Sequence, residues 1–263
     1  GPLQETTSDT QDSILWMHNT LPQFDPKTVP WLHDDAWKAR LKYVIAVSEY
    51  QKQSIIRDMG IEADRVYVIP NAIGPVPYDK DKFEKTDTIR VIHASSPDRG
   101  MFVLLSALQY IEDDDFHLDI YNNFYPDMNP PNPAFDDPRV TFYGKTPRKT
   151  VLEAFGRAHI HAYPSVYEET SCLTQMEALA ANCLTVHTDV GALPETSMGY
   201  GIETKMPANR STEFDMLFAV EFKKALKQVR EHRFDPGNQA EDVYNTYSWQ
   251  AALERWKAFD ELL

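Results

Sequence analysis

Short apolar runs alternate with helical stretches along almost the whole chain, and that alternation limits the fold more than any other feature. Apolar runs stand at 14–18, 43–47, 66–69, 89–93, 117–121, 140–143, 160–163 and 184–187. Between them lie stretches with helical spacing at 34–41, 48–60, 101–111, 150–159 and after residue 172. Parallel strands need a long crossover, usually a helix, so strand–helix alternation predicts an α/β protein built on parallel sheets. Local signals agree with these bounds. Ser48 followed three residues later by Gln51 is a capping-box pattern, and Gly60 is placed to end the same helix. The cluster Pro70, Gly74, Pro75, Pro77 breaks regular structure and is the expected linker. Three segments follow: a short N-terminal lobe at 1–74, a C-terminal lobe at 75–247 and a closing helix at 248–263. In the last, Trp249, Leu253, Trp256 and Phe259 are in helical phase. The polar opening up to Asp12 is expected to fray, and the Pro/Asn/Asp-rich excursion between 121 and 140 reads as a surface loop.

Composition narrows the function. With 263 residues, 42% hydrophobic and 25% charged, the chain can bury an ordinary globular core. No apolar run approaches a bilayer span, and no secretory pattern is visible at the start. Twenty-six basic against 40 acidic residues give a net charge of −14, which argues against nucleic acid and anionic membrane as partners. A small phosphorylated ligand stays open, since it needs only a few placed donors. Two cysteines, Cys172 and Cys183, build no disulfide framework and fit a reducing compartment, so the cytoplasm is the expected location.

The stretch from 163 to 195 holds the strongest chemical pattern. Glu169 and Glu177 have seven residues between them. Leu173, Met176, Glu177 and Ala180 recur at helical spacing, so Glu177 sits beside an apolar face where an unbound carboxylate is costly. Glu169 lies in the loop before this helix, with Thr170, Ser171, Cys172 and Leu173 at the helix start. Backbone amides there attract anions. Two readings stand: a solvated loop acid with a carboxylate snorkelling at the helix edge, or two acids that hold a ligand carrying phosphates and hydroxyls.

This stretch resembles the E-x7-E region of retaining GT-B glycosyltransferases of glycosyltransferase family 4. Pro164-Ser165, Glu177-Ala178-Leu179-Ala180, Gly191 and Pro194-Glu195 match with it. So do the IAVSEYQK run in the N-terminal lobe, the Ile69–Ala72 turn (with Ala72 in place of glycine), the RVIHASSPDRGMFVLLSAL unit and the closing Ser248-Trp249 helix. The resemblance covers the chain from about Ile14 onward. It implies two Rossmann-like lobes, the N-terminal one reduced or truncated, because only about 70 residues precede the linker. Further domains of a longer chain are compatible with that.

By the same resemblance the activity is retaining transfer of a hexose from a nucleoside-diphosphate sugar, UDP preferred and GDP next. The acceptor is a hydroxyl on a glycan, glycolipid or glycoprotein, and neither metal nor cofactor is involved. Glu169 faces the donor sugar, Glu177 the ribose, and the amides of Thr170, Ser171, Cys172 and Leu173 the leaving phosphates. In Ser96-Pro97-Asp98-Arg99-Gly100, Ser96 can cap the next helix and Gly100 permits close approach. Arg99 matches the basic residue that holds the donor diphosphate. It is expected at the surface, where pairing with a neighbouring acid is the competing reading. The second arginine usual in the family is missing from Ala94-Ser95-Ser96. His18 matches a histidine near the transferred sugar, although a lone histidine at a strand end is also an ordinary structural residue. Tyr143, Gly144 and Lys145 match the turn that borders the base.

Other patterns carry less. His159 and His161 could share a strand face, but no third metal ligand follows at a recognisable spacing, so they read as strand residues. Asp113-Asp114-Asp115 reads as a solvated loop. Cys172 has no adjacent activator for nucleophilic work. A donor-binding module without catalysis is the alternative from another class. A dinucleotide oxidoreductase lacks its expected G-x-G-x-x-G after a strand.

Overall fold

The computed structural model describes residues 13–25, 27–84, 88–113, 115–122, 136–207 and 213–263. The polar opening up to Asp12, Asp114 and most of the 121–140 excursion lie outside these residues.

Two parallel sheets form. The first has three strands in the order β1-β2-β3: β1 (Ser13–Trp16), β2 (Leu41–Ala46) and β3 (Val66–Val68). Its central strand is buried on both sides, as its unbroken apolar run requires. Val44 and Ala46 face α2 (Glu49–Met59) and pack with Ile55 and Met59. Ile45 turns the other way and meets Ile69 and Phe259. Helix α1 (Asp35–Ala39) is a short turn before β2, capped by the Asp34 carboxylate, which accepts from the amides of Ala36 and Trp37. Ser48 caps α2 as its pattern predicts, but Gln51 differs from the capping box. Its carbonyl oxygen accepts from Val47 N at 2.7 Å, one residue before the cap.

The second sheet has six parallel strands in the order β6-β5-β4-β7-β8-β9. These are β4 (Ile89–Ala94), β5 (Phe116–Tyr121), β6 (Val140–Phe142), β7 (Ile160–Tyr163), β8 (Leu184–Thr188) and β9 (Ile202–Thr204). The chain winds outward from β4 in one direction, then returns and winds outward from β7 in the other. That is the doubly wound nucleotide-binding order, with its reversal between β4 and β7. Helices α3 (Met101–Leu108) and α7 (Glu213–Arg230) cover one face. Helices α4 (Arg148–Arg157), α5 (Leu173–Ala180) and α8 (Gln239–Tyr247) cover the other. The two-sheet parallel α/β expectation holds, with six strands in one lobe and three in the other.

Beyond β8 the structure adds β9, α7, α8 and the short α6 (Leu193–Ser197), which have no counterpart in the expected elements. Helix α7 buries Phe214, Phe218, Phe222, Leu226 and Val229 along one stripe. Each buried large apolar side chain contributes roughly 1.5–3 kcal/mol.

The last helix, α9 (Trp249–Asp260), crosses back to the small sheet. Phe259 meets Tyr43 and Tyr67 edge-on at ring-centroid distances of 5.5 and 5.2 Å, and Trp256 meets Trp16 at 5.2 Å. Ile73 in the linker donates to Tyr247 O at 2.8 Å, so linker and tail run side by side. Of the three aspartates expected in a solvated loop, Asp113 and Asp115 are partly exposed and pair with Arg230 at the end of α7.

Candidate functional site

The carboxyl ends of β4 and β7 mark the crevice where open sheets of this order bind ligands. Segments 95–100 after β4, 164–172 after β7 and 189–195 after β8 converge there. Glu169 is 9% exposed, so it is not a solvated acid. Gly191 has φ +64°, and a Cβ on it would run into the Glu169 backbone. The neighbouring Ala192 amide donates to Glu169 O at 2.7 Å, which fixes the loop. Oε1 of Glu169 accepts from the Tyr163 hydroxyl at 2.7 Å and from Arg99 Nε at 3.1 Å. Burial pushes this carboxyl above the usual range, while the Tyr163 hydrogen bond and the Arg99 charge pull it back.

Arg99 is not a surface side chain. It pairs with Glu169 and Asp98, and its guanidinium lies 3.4 Å from the Tyr167 ring centroid. The acid-pairing reading therefore holds in this structure, and any bound anion would share Arg99 with two carboxylates. Ser96 does not cap α3. Its carbonyl accepts from Arg99 N at 3.0 Å in a turn, and Gly100, at φ +88°, holds the cap position without a side-chain bond. The close approach that Gly100 permits is to the Pro164 carbonyl of the next strand loop.

Thr170, Ser171, Cys172 and Leu173 form the entrance to α5, which has no side-chain cap. Among the described residues none accepts from their backbone amides, so four donors at this helix start are open to a ligand. The Ser171 hydroxyl is buried and also without a partner. Cys172 is an unsuitable nucleophile: burial, then the nearby Glu169 charge, push its thiol up to about 12. Glu177 sits one turn further along α5 and is 2% exposed. It forms an ion pair with Arg148 at the start of α4, whose side chain is 61% exposed. Burial raises the Glu177 carboxyl and Arg148 lowers it. Neither glutamate is a solvated surface group.

The two lobes meet at this site through bonds that span 118 residues or more. Thr170 Oγ1 donates to His18 O at 2.5 Å, and Gln23 Nε2 to Glu168 O at 2.7 Å. The Tyr50 hydroxyl donates to the Glu168 carboxylate. Glu195 accepts from the amides of Glu49 and Tyr50 at 2.9 Å each, and Ser48 takes the next from Gln51. Three amides at the start of α2 are thus satisfied, two of them from the opposite lobe. His18 joins the site through its carbonyl; its ring is exposed and lies 4.8 Å from Trp16.

The structure thus brings Glu169, Arg99, Ser96, Gly100 and residues 170–173 together, with Glu177 next to them and His18 across the cleft. Tyr143, Gly144 and Lys145 follow the edge strand β6; Tyr143 stacks on Tyr121 at 4.5 Å. Five residues near the site carry no role on sequence grounds: Tyr50, Tyr163, Tyr167, Arg148 and Glu168. Only Arg148, in a basic turn, has a local signal. His159 is structural, accepting at Nδ1 from Arg90 N while its Nε2 lies 2.6 Å from Lys82 O. Among the described residues no group of three or more His, Cys, Asp or Glu is placed to hold a metal ion.

Residues 89–214 match the model of the family described as glycosyl transferases group 1. One subunit of the human phosphatidylinositol N-acetylglucosaminyltransferase is 24% identical over 240 residues, covering 84% of this chain and 46% of that protein. The chain therefore spans about half the length of this curated relative. Anabaena HepE in complex with UDP superposes with a TM-score of 0.79 at 15% identity, over 95% of this chain and 72% of that one. A Rickettsia africae glycosyltransferase gives 0.74 at 17% identity, over 94% and 69%. Likeness at this identity establishes the fold. Residues 89–214 are thus similar to a group 1 glycosyltransferase domain, and the α/β fold with parallel sheets matches solved glycosyltransferase structures.

Proposed function

We propose that this protein transfers a hexose from a nucleoside-diphosphate sugar, UDP preferred, to a hydroxyl acceptor with retention of configuration. The observation that carries the reading is the meeting of Glu169, Arg99 and four amides without an acceptor among the described residues, at the strand-order reversal. Loss of a diphosphate leaves negative charge on the phosphates and positive charge on the sugar ring. The amides of residues 170–173 and Arg99 stabilise the first, and the Glu169 carboxylate the second. Glu177 accepts from the ribose hydroxyls, and His18 borders the transferred sugar from the facing lobe. No carboxylate acts as a covalent nucleophile, so the glycosidase rule linking carboxylate spacing to stereochemistry does not apply. Charge neutralisation is assigned to arginine and amides, without a metal.

The UDP complex of HepE supports UDP as the nucleotide. The human relative is named as part of a phosphatidylinositol N-acetylglucosaminyltransferase, which supports a glycolipid among the acceptors. Cys172 and Cys183 are both free and buried, which fits a cytoplasmic setting. Among the described residues no helix is long and apolar enough to cross a membrane.

The test separates the two glutamates. Glu177→Gln weakens UDP binding by about 1–2 kcal/mol, because an amide still bonds a ribose in part. Glu169→Gln leaves UDP affinity nearly intact and lowers kcat and kcat/KM for the intact donor together. Calorimetry with UDP and turnover of UDP-sugars measure both. Reversal of the pattern would place the donor the other way round, and absence of UDP binding would remove the proposal.

A further inference from the structure

Tyr163 ends β7 and is 1% exposed. Its ring stacks on His161 at 5.2 Å and on His93 at 5.7 Å, both fully buried. Burial leaves the phenol a donor, since it pushes the ionisation well above the ordinary value, and the nearby Cys172 and Glu169 add to that. Its hydroxyl has two neighbours: Glu169 Oε1 at 2.7 Å and Ser95 Oγ at 3.3 Å. Arg99 reaches the same Oε1. Among the described residues none hydrogen-bonds Oε2. The two oxygens of one carboxylate are therefore unequal.

We propose that Tyr163 is a positioning residue: its buried hydroxyl holds Oε1 of Glu169 and turns Oε2 toward the cleft as the oxygen that meets a ligand. This assignment rests on the role given to Glu169 above and adds a division of labour. Arg99 is shared with Asp98 and is only half-buried, so a diphosphate can draw it away from Glu169. Tyr163 is locked between two rings and cannot follow. It remains the donor that keeps Glu169 ionised and aimed while Arg99 turns to phosphate. The groups facing Glu169 are Tyr163 from β7, Arg99 and Asp98 from the loop after β4, and Cys172 from the start of α5. Of these, Tyr163 and Arg99 are the donors to its carboxylate.

Tyr163→Phe removes the hydroxyl and keeps the ring. Carboxyl-carbon NMR of protein labelled in glutamate reads the Glu169 titration directly, with Glu169→Gln identifying its signal. The midpoint is expected to rise by about one pH unit in Tyr163→Phe. With a UDP-sugar, kcat is expected to fall about tenfold and the acid limb of the rate profile to move with the midpoint, while UDP affinity stays within about twofold. An unmoved midpoint in a normally melting variant overturns the proposal. If the midpoint moves but even the unaltered protein consumes no donor, the transferase reading falls and the positioning of Glu169 stands. Should the phenylalanine variant not fold, 3-fluorotyrosine at position 163, a stronger donor, is expected to lower the midpoint. No change there also overturns the proposal.

Discussion

Replacing Arg148 with alanine tests what keeps Glu177 buried. The carboxylate side chain is 3% exposed and its arginine partner 61% exposed. A fully exposed pair contributes about 0.2–1 kcal/mol, and breaking a fully buried one costs about 3–5 kcal/mol. Here water can enter from the Arg148 side once the guanidinium is gone, which screens part of the loss. The expected cost of Arg148→Ala is about 1–2 kcal/mol at neutral pH, or a fall in melting temperature of about 3–6 °C for a chain of this size. The sign with pH follows from the raised Glu177 carboxyl. A group whose folded value lies above its unfolded one contributes stability fully present below the unfolded value and lost as pH rises through the folded value. Without Arg148 the folded value rises further, so the cost grows with pH and fades toward about pH 5. Urea unfolding at pH 8 and pH 5 measures it, in both the native and Glu177→Gln backgrounds. In the glutamine background the cost is expected to shrink below about 0.5 kcal/mol. Equal costs at both pH values and in both backgrounds would refute a charge-based pairing.

Further expectations concern three other places. Arg99→Ala should weaken UDP binding by about 1.5–3 kcal/mol in calorimetry and also lower the melting temperature, since Glu169 loses a partner and Tyr167 a stacked cation; an unchanged dissociation constant would place the phosphates elsewhere. Glu195→Ala frees two amides of α2 and should let the lobes part, read as a larger radius of gyration in solution scattering; an unchanged radius would mean that other contacts hold the lobes. Burial lowers His93 to about 4 and His161 to about 3. These depressed values make the unfolded chain bind more protons, so stability should fall by about 1.4 kcal/mol per pH unit for each histidine as pH drops below about 6.5. A slope unaltered in His93→Gln and His161→Gln would assign acid sensitivity to other groups.

The parallel α/β class and eight of the nine strands among the described residues are legible in sequence because each depends on local periodicity. Apolar runs such as Val44–Val47 and the cap at Ser48 announce themselves within a few residues. The candidate site is legible in part for a similar reason: the Glu169–Glu177 spacing is a property of one loop and one helix. Helix α7 is missing from the expected elements although its phenylalanine stripe is periodic and Pro207 and Pro236-Gly237 flank it.

What no single stretch could specify is whatever depends on partners distant in the chain. Arg99 looks like a surface cation; the 70-residue step to Glu169 and the ring of Tyr167 make it a half-buried hub. Gly100 looks like room for a ligand, yet the room is taken by the Pro164 carbonyl. Glu195 enters the sequence reading only as part of the Pro194-Glu195 match; its partners, the two amides at the start of α2, come from the other end of the chain. The order β6-β5-β4-β7-β8-β9, and with it the crevice where Glu169 meets Tyr163, comes from which faces the helices can cover together. Periodicity states that a face is apolar; only the packed sheet decides which other face it meets, because burial is a property of both.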